Sequence, residues 1–522
     1  MIKEVTEKHI FLQVPNLTGS RIDGVFVKSK GTWRIPHNLG ALRDLHKLGY
    51  DVLELGKKLS DEYKQVLDLK VERSLKDVGT KLRMYQQQDV NFLVNMPYAG
   101  VFNEQRTGKT PTMCRVMERI GEKTVVICPA SLVLNWRDEI TKWTDLVPIV
   151  AMGTKAKREK AYAEFAESVN VLIIGKETAR NDIGNLLMLD VHVLVVDEAH
   201  FMRNYDSKQS KAIIELSRKS KRKYALTGTP ATSSPADVFG ILKFLDSTKW
   251  SSYWQFVERY FNITESHWGG GAKNIGGFKS VARKTEYEEL LNIVSVQRKR
   301  KDIMQWLPAK QYQTVNVTMS KEQKSAYDEM RTTFEVEEIG LDAPTVITQM
   351  LRLRQITSVP SVLGLPNGAK FDFILEYLAD NPDEHVLIFS NFSSGLRKLK
   401  PYLKKVGIIT GEESKDLRHN YISQFQNGQL QVLLCNIEAA GTGLTLDRAS
   451  TVIFLDRHFN PTQNEQAEDR IVATQEGRNL SSLIIDLVCE GTIDEKILEM
   501  VKQKKNITSV ANNYRNVREW LK

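Results

Sequence analysis

The chain has 522 residues, 41% of them hydrophobic, and a formal net charge of +9. That length and apolar content suit about three packed domains, and no apolar run is long enough to span a bilayer, which excludes a helical membrane protein. The four cysteines have no metal-ligand spacing and read as reduced thiols of a cytosolic-type compartment, while the positive balance favours a polyanionic partner.

Residues 1–78 are expected to form a small α+β accessory domain. Its strand candidates are Ile10–Val14, Gly24–Val27 and Thr32–Pro36, the last two joined by the charged turn Lys28-Ser29-Lys30-Gly31. Helices are expected from about His37 to Leu48 and from Glu62 to Leu75. Two readings stay open for this region: an accessory fold without a ligand, or a nucleic-acid contact through exposed Lys28, Lys30, Trp33 and Arg34, with Trp33 stacking on unpaired bases.

From residue 79 to about 308, strand-like runs alternate with helical patterns, the rhythm of an α/β lobe with a parallel sheet. The runs are Val125–Cys128, Val171–Ile174, Val193–Val196 and Tyr224–Thr227. Aromatic-rich helices from Trp250 to Phe261 and the loop-like Gly269-Gly270-Gly271 form an insertion. The rhythm restarts with His385–Phe389, Gln431–Leu434 and Thr451–Leu455, which predicts a second α/β lobe over 309–502. Residues 503–522 are expected to form a C-terminal tail helix.

The run Val191–Val196 ends in Asp197-Glu198-Ala199-His200. An apolar, β-branched run reads as a buried parallel strand, and ligands collect at the carboxyl ends of such strands. Upstream lies Asn103-Glu104-Gln105-Arg106-Thr107-Gly108-Lys109-Thr110. In a Gly-Lys-Thr loop the glycine lets backbone N–H groups approach phosphates, the lysine reaches the β/γ oxygens and the threonine hydroxyl binds Mg²⁺. The usual leading glycine of that loop is replaced by Asn103. Paired, the two segments predict a chain that binds or hydrolyses a nucleoside triphosphate.

Further segments fall in a recognisable order. Leu82-Arg83-Met84-Tyr85-Gln86 precedes the loop; Cys128-Pro129-Ala130-Ser131, Trp136 and Trp143 follow it, then Asp197–His200 and Leu226-Thr227-Gly228-Thr229-Pro230. The second lobe supplies Leu387-Ile388-Phe389-Ser390, Gly441-Thr442-Gly443-Leu444-Thr445-Leu446 and Gln466-Ala467-Glu468-Asp469-Arg470. Over roughly residues 80 to 500 this order resembles a superfamily 2 helicase motor of the Swi/Snf family. The segments Gly228–Asp237 and Leu307-Pro308-Ala309-Lys310-Gln311 resemble its HARP-type annealing-helicase branch.

The resemblance implies two RecA-like lobes that use ATP and Mg²⁺. Gln86 would read the adenine edge, and Thr107, Gly108, Lys109, Thr110, Gly441 and Gly443 would bind nucleotide. Thr110 and Asp197 would hold the metal, and Glu198 would orient or deprotonate the attacking water, with Gln466 and Arg470 completing the catalytic set. His200 with Thr227, Gly228 and Thr229 would relay nucleotide state to the DNA side. Ser131, Ser390, Asn391 and Thr442 would join Trp33 as DNA contacts. The run Arg298-Lys299-Arg300-Lys301 reads equally as a solvated helix face or as a structural link between the lobes.

One position departs from the family pattern. Ala473 stands where a second arginine is expected in the last motif, so Arg470 or Arg478 is left to act as arginine finger. The expected function is an ATP-dependent translocase on double-stranded or forked DNA. Two alternatives stand beside it: a strand-separating DNA or RNA helicase, and an ATP-gated DNA-binding scaffold with weak turnover. The compartment implied is the cytoplasm of a bacterial or viral-type source, or the nucleus of a eukaryote.

Overall fold

The computed structural model describes residues 2–14, 24–27, 29–68, 70, 82–168, 170–231, 234–265, 273–305, 310–337, 340–343, 345–440, 446–471 and 482–503. The expected tail helix over 503–522, the triple glycine at 269–271, Lys28 and the segment 71–75 of the second N-terminal helix therefore lie outside the described residues, Gln503 apart. Two compact units divide the chain at Ile303 and Met304. Among the described residues no helix is long and apolar enough to cross a membrane.

The first unit opens with an antiparallel sheet of β1 (Ile2–Val5), β2 (His9–Leu12), β3 (Val25–Val27) and β4 (Thr32–Pro36), in the order β1-β2-β4-β3. Alternation along β2 and β4 turns Ile10, Leu12 and Ile35 onto the helices Leu39–Lys47 and Leu53–Asp68, closing a small core. Asn38 caps the first helix by accepting a hydrogen bond from the Ala41 N–H.

Its main sheet is all parallel, built from β5 (Tyr98–Val101), β6 (Thr124–Cys128), β7 (Pro148–Ala151), β8 (Val171–Gly175), β9 (Val193–Val196), β10 (Arg222–Leu226) and, after the hairpin β11 (Phe261–Glu265) and β12 (Lys273–Phe278), β13 (Ser295–Val296). The strand order is β13-β5-β10-β9-β6-β8-β7. Both faces are covered, so each strand divides its side chains between two cores. Val125, Ile127, Leu194 and Val196 face one; Val126, Cys128, Val193 and Val195 face the other. Full burial of one such side chain contributes roughly 1.5–3 kcal/mol, which is why Val125–Cys128 and Val193–Val196 are apolar on every position.

The second unit repeats the plan. Its strands are β14 (Gln311–Val317), the short pair β15 (Glu335–Val336) and β16 (Leu341–Asp342), then β17 (Val386–Ser390), β18 (Val406–Ile409), β19 (Val432–Asn436), β20 (Thr451–Phe454) and β21 (Leu483–Cys489). Six of them form a parallel sheet ordered β14-β21-β20-β17-β19-β18. Val386, Ile388 and Ile453 enter one core while Leu387, Phe389 and Val452 enter the other.

The N-terminal sheet belongs to the first unit and is joined to it by charge. Glu286, 2% exposed, accepts from Arg259, Arg283, Tyr260 and the Asn38 amide, the last at 2.7 Å. Asp44 pairs with Arg283 at 2.6 Å and with Arg259 at 3.4 Å. Gly40 allows the approach, because a Cβ there would fall 2.4 Å from Glu286 Oε2. Removing one partner of a buried ion pair leaves an uncompensated charge. Excision of residues 1–78 would remove Asp44 and leave two guanidinium groups to share Glu286, so it is not a neutral truncation. Glu286→Ala is expected to destabilise the first unit by about 3–5 kcal/mol; a urea titration that leaves the first transition in place would contradict this.

Candidate functional site

Strands β5, β10 and β9 lie side by side and in parallel, so their carboxyl ends open on one edge. The segment after β5 runs through Phe102 to Gly108, which caps the helix Lys109–Ile120. Gly108 has φ 78° and ψ 40°, in the left-handed region that favours glycine. A Cβ there would lie 2.2 Å from Gln86 Nε2. Arg106 adopts a similar conformation, φ 64°. The turn leaves the helix's first N–H groups directed at the loop, an arrangement suited to anions.

The helix Met84–Asn95 supports this loop. Gln86 donates to the Gly108 carbonyl at 3.3 Å and accepts from the Arg83 N–H at 2.8 Å, and the Tyr85 hydroxyl donates to the Thr107 carbonyl at 2.7 Å. Gln86, expected at adenine, thus has its amide on the loop itself. Thr107 Oγ1 donates to the Glu104 carbonyl at 2.7 Å. The Lys109 ammonium donates to the carbonyls of Asn103 at 3.0 Å and Glu104 at 3.2 Å, which holds a positive charge at the loop's centre. Thr110 follows in the first helical turn, half-buried.

Asp197 and Glu198 leave the end of β9. Asp197 Oδ1 accepts the Glu198 N–H at 2.8 Å, and Oδ2 accepts the Trp136 indole N–H at 2.8 Å. Burial and then the neighbouring Glu198 charge push the Asp197 carboxyl up to about 6, while Trp136, the Glu198 amide and Lys109 pull it back. Glu198 has φ 49° and ψ 44°. That left-handed backbone costs a β-carbon-bearing residue about 1–2 kcal/mol.

A polar chain leaves this acid. His200 Nδ1 is 3.2 Å from Glu198 Oε2 and 3.3 Å from Thr227 Oγ1, and that hydroxyl accepts the Thr229 N–H at 3.1 Å. A Cβ on Gly228 would stand 3.0 Å from Gln105 Cγ and 3.6 Å from Lys109 Nζ, so the turn after β10 abuts the loop after β5. The fold thus brings together Gln86, Thr107, Gly108, Lys109, Asp197, Glu198, His200, Thr227, Gly228 and Thr229. Ser131 is half-buried in the turn after β6, the strand beyond β9.

In the second unit Ser390 ends β17 and Asn391 follows it, and both point to Asp456 after β20. Ser390 is fully buried and its hydroxyl donates to Asp456 Oδ2 at 2.5 Å. Asn391 donates its N–H at 3.1 Å and its amide to Oδ1, where Arg354 also donates at 3.1 Å. A hydroxyl so enclosed does not have the exposure expected of a DNA contact; it fixes the turn that carries Asn391. Gln466 and Arg470 are buried, at 7% and 4% exposure. Glu468 beside them accepts from Lys310 and Tyr312, each at 2.9 Å, and from Arg457 at 2.5 Å. Lys310 also pairs with Asp469 at 2.8 Å. Gly441, Thr442, Gly443, Ala473 and Arg478 lie outside the described residues.

The N-terminal surface differs from its sequence reading. Trp33 is only partly exposed, packs on the Phe26 ring at 5.6 Å between centroids and seals the small core. Arg34 donates to Gln255, and Lys30 pairs with Glu4 at 2.6 Å. An indole held this way is a core-sealing side chain, not an open stacking platform.

Two parallel-sheet lobes, the first with a phosphate-type loop beside an Asp-Glu strand end, make the architecture that of a helicase-like ATPase. The SNF2-related domain matches residues 46–362, more than half of the chain, and the helicase conserved C-terminal domain matches residues 369–473. The chain belongs to the SNF2-related family. It is 25% identical over 478 residues to the "Uncharacterized ATP-dependent helicase" of Mycoplasma pneumoniae, covering 87% of this chain and 44% of that protein. It is also 25% identical over 456 residues to the DNA annealing helicase and endonuclease ZRANB3 of Mus musculus, covering 84% of this chain and 41% of that protein. The chain therefore spans less than half the length of these relatives. Among solved structures, the Sulfolobus solfataricus SWI2/SNF2 ATPase core in complex with dsDNA aligns at 24% identity, over 85% of this chain and 97% of that one, with a TM-score of 0.39.

Lys109→Ala is expected to abolish ATP hydrolysis in a folded protein, since it removes the ammonium at the loop's centre. Glu198→Gln is expected to keep nucleotide binding and slow turnover by about 10²–10⁴. Steady-state phosphate release with parallel nucleotide titrations checks both, and equal loss of affinity and turnover in Glu198→Gln would refute the division of roles.

Proposed function

We propose that the protein is an ATP-driven translocase on double-stranded DNA, able to remodel or reanneal forks or to displace bound proteins. The observation that carries the reading is the shared edge of β5, β10 and β9, where Lys109, Asp197, Glu198 and the His200–Thr227 chain meet. Family membership and a relative named as a DNA annealing helicase support DNA as the track.

Among the described residues no cluster of three His, Cys, Asp or Glu side chains could hold a metal unaided. A site with a buried carboxylate and one hydroxyl suits Mg²⁺, which is commonly held by one or two protein ligands together with substrate phosphates. Thr110 and Asp197 would hold it, and when bound it would neutralise charge on the phosphate oxygens. Lys109 and the N–H groups of the first helical turn bind the phosphates. Glu198 orients water and accepts its proton. Trp136 keeps Asp197 aimed, and His200 links Glu198 to the turn Thr227-Gly228-Thr229, through which hydrolysis reaches the rest of the lobe.

Duplex or forked DNA is expected to stimulate hydrolysis more than RNA does, with stimulation weakening as salt rises, because phosphate contacts release counterions. Stronger activation by RNA would replace this reading with that of an RNA helicase. Ala473 favours one other reading, a DNA-binding scaffold with weak turnover. Under it, Ala473→Arg should raise DNA-stimulated kcat by about tenfold, a fraction of what an arginine finger supplies. An unchanged kcat would mean that Arg470 or Arg478 suffices.

A further inference from the structure

The basic run 298–301 divides by direction: Lys299 and Lys301 are exposed, whereas Arg298 and Arg300 turn inward. Arg298 reaches Asp89, a carboxylate 0% exposed on the helix Met84–Asn95. Its Nε and Nη2 donate to Asp89 Oδ1 at 3.0 and 2.8 Å. The other oxygen, Oδ2, accepts from Asn103 Nδ2 at 2.7 Å. Asn103 is the residue that stands in place of the loop's leading glycine, so its side chain makes a link that glycine could not. The backbone repeats the connection: the Phe102 N–H donates to the Val296 carbonyl and the Glu104 N–H to the Arg298 carbonyl, both at 2.9 Å. Arg300 then donates its N–H to Glu104 Oε2 at 2.7 Å. Glu104 and Asn103 are the residues whose carbonyls receive Lys109.

We infer that Arg298 and Asp89 are positioning residues for nucleotide binding, which act through Asn103 and Glu104 to hold the base of the phosphate loop. The two arginines of the basic run are thereby assigned to the ATP site, while Lys299 and Lys301 stay on the exposed face. A loop that presents backbone N–H groups must be held near its productive geometry, since displacement of about 1 Å can cost a hundredfold. Its base is tied on one side by Asp89 and on the other by the 296–300 segment. This inference rests on the reading of residues 103–110 as the nucleotide site.

The test uses the full chain without DNA, titrated with a fluorescent ATP analogue, and compares wild type, Arg298→Lys, Asp89→Asn and Lys109→Ala. Arg298→Lys keeps a charge beside Asp89 but loses the two-pronged bond, so the fold should survive. The expected result is a Kd for the analogue raised about tenfold or more in Arg298→Lys and Asp89→Asn, with duplex-DNA affinity and its salt slope unchanged. A lower melting temperature with unchanged analogue affinity would mark plain packing and overturn the inference. So would weaker DNA binding with a salt slope reduced by about 1, the signature of a phosphate contact. The control separates the two readings: unchanged binding in Lys109→Ala removes the loop assignment itself. Lost binding in Lys109→Ala beside unchanged binding in Arg298→Lys removes only the positioning role.

Discussion

Parallel pairing of β10 between β5 and β9 is the constraint on which the first lobe depends. Parallel strands all end at the same edge, and neighbours lie ~4.8 Å apart. A cation following β5 and an acid pair following β9 are therefore set two strand spacings apart, with one turn between them. That turn is Thr227-Gly228-Thr229, and its glycine is small enough to sit against Gln105 and Lys109. The sheet's register thus supplies the geometry, while the loops supply only the chemistry. Slippage of β10 by one residue would exchange Tyr224 and Leu226 with Ala225 between the two cores, so burial itself locks the register.

Both lobes also bury charge near the carboxyl ends of their strands. In the first, Asp197 is held by an indole N–H and Asp89 by a guanidinium. In the second, Asp456, Glu468, Asp486 and Asp494 meet Arg354, Arg457, Lys310 and Lys370. Such pairs add little net stability against apolar packing, but breaking one is costly.

Much of the first lobe's plan was legible because its central strands are uniform apolar runs, and Gly-Lys-Thr and Asp-Glu-Ala-His are local patterns. The strand that carries the loop was not: Tyr98-Ala99-Gly100-Val101 is short and has little β-branching. Gly100 is there because the Phe102 ring occupies the place of its Cβ, a contact that periodicity cannot reveal. Asp486 similarly interrupts the run of β21, and its partner Arg457 lies on another element. Trp136 was visible as a residue in a motif but not as the group that holds Asp197, since that bond spans 61 positions. Arg298 read as a charge run, because sequence shows charge and not the direction of a side chain. Trp33 and Ser390 show the converse: residue types that often contact nucleic acid are here packed within their own domains, Ser390 fully and Trp33 in part.

The left-handed backbone at Glu198 carries a consequence for how this chain tolerates change. Glycine or asparagine would relieve the strain at that position, and either would remove the carboxylate. Stability and chemistry are therefore opposed at one residue. Under selection for thermal robustness alone, Glu198→Gly or Glu198→Asn would accumulate, giving a sturdier protein without the acid at the end of β9. The acid persists there only for as long as its chemistry is demanded.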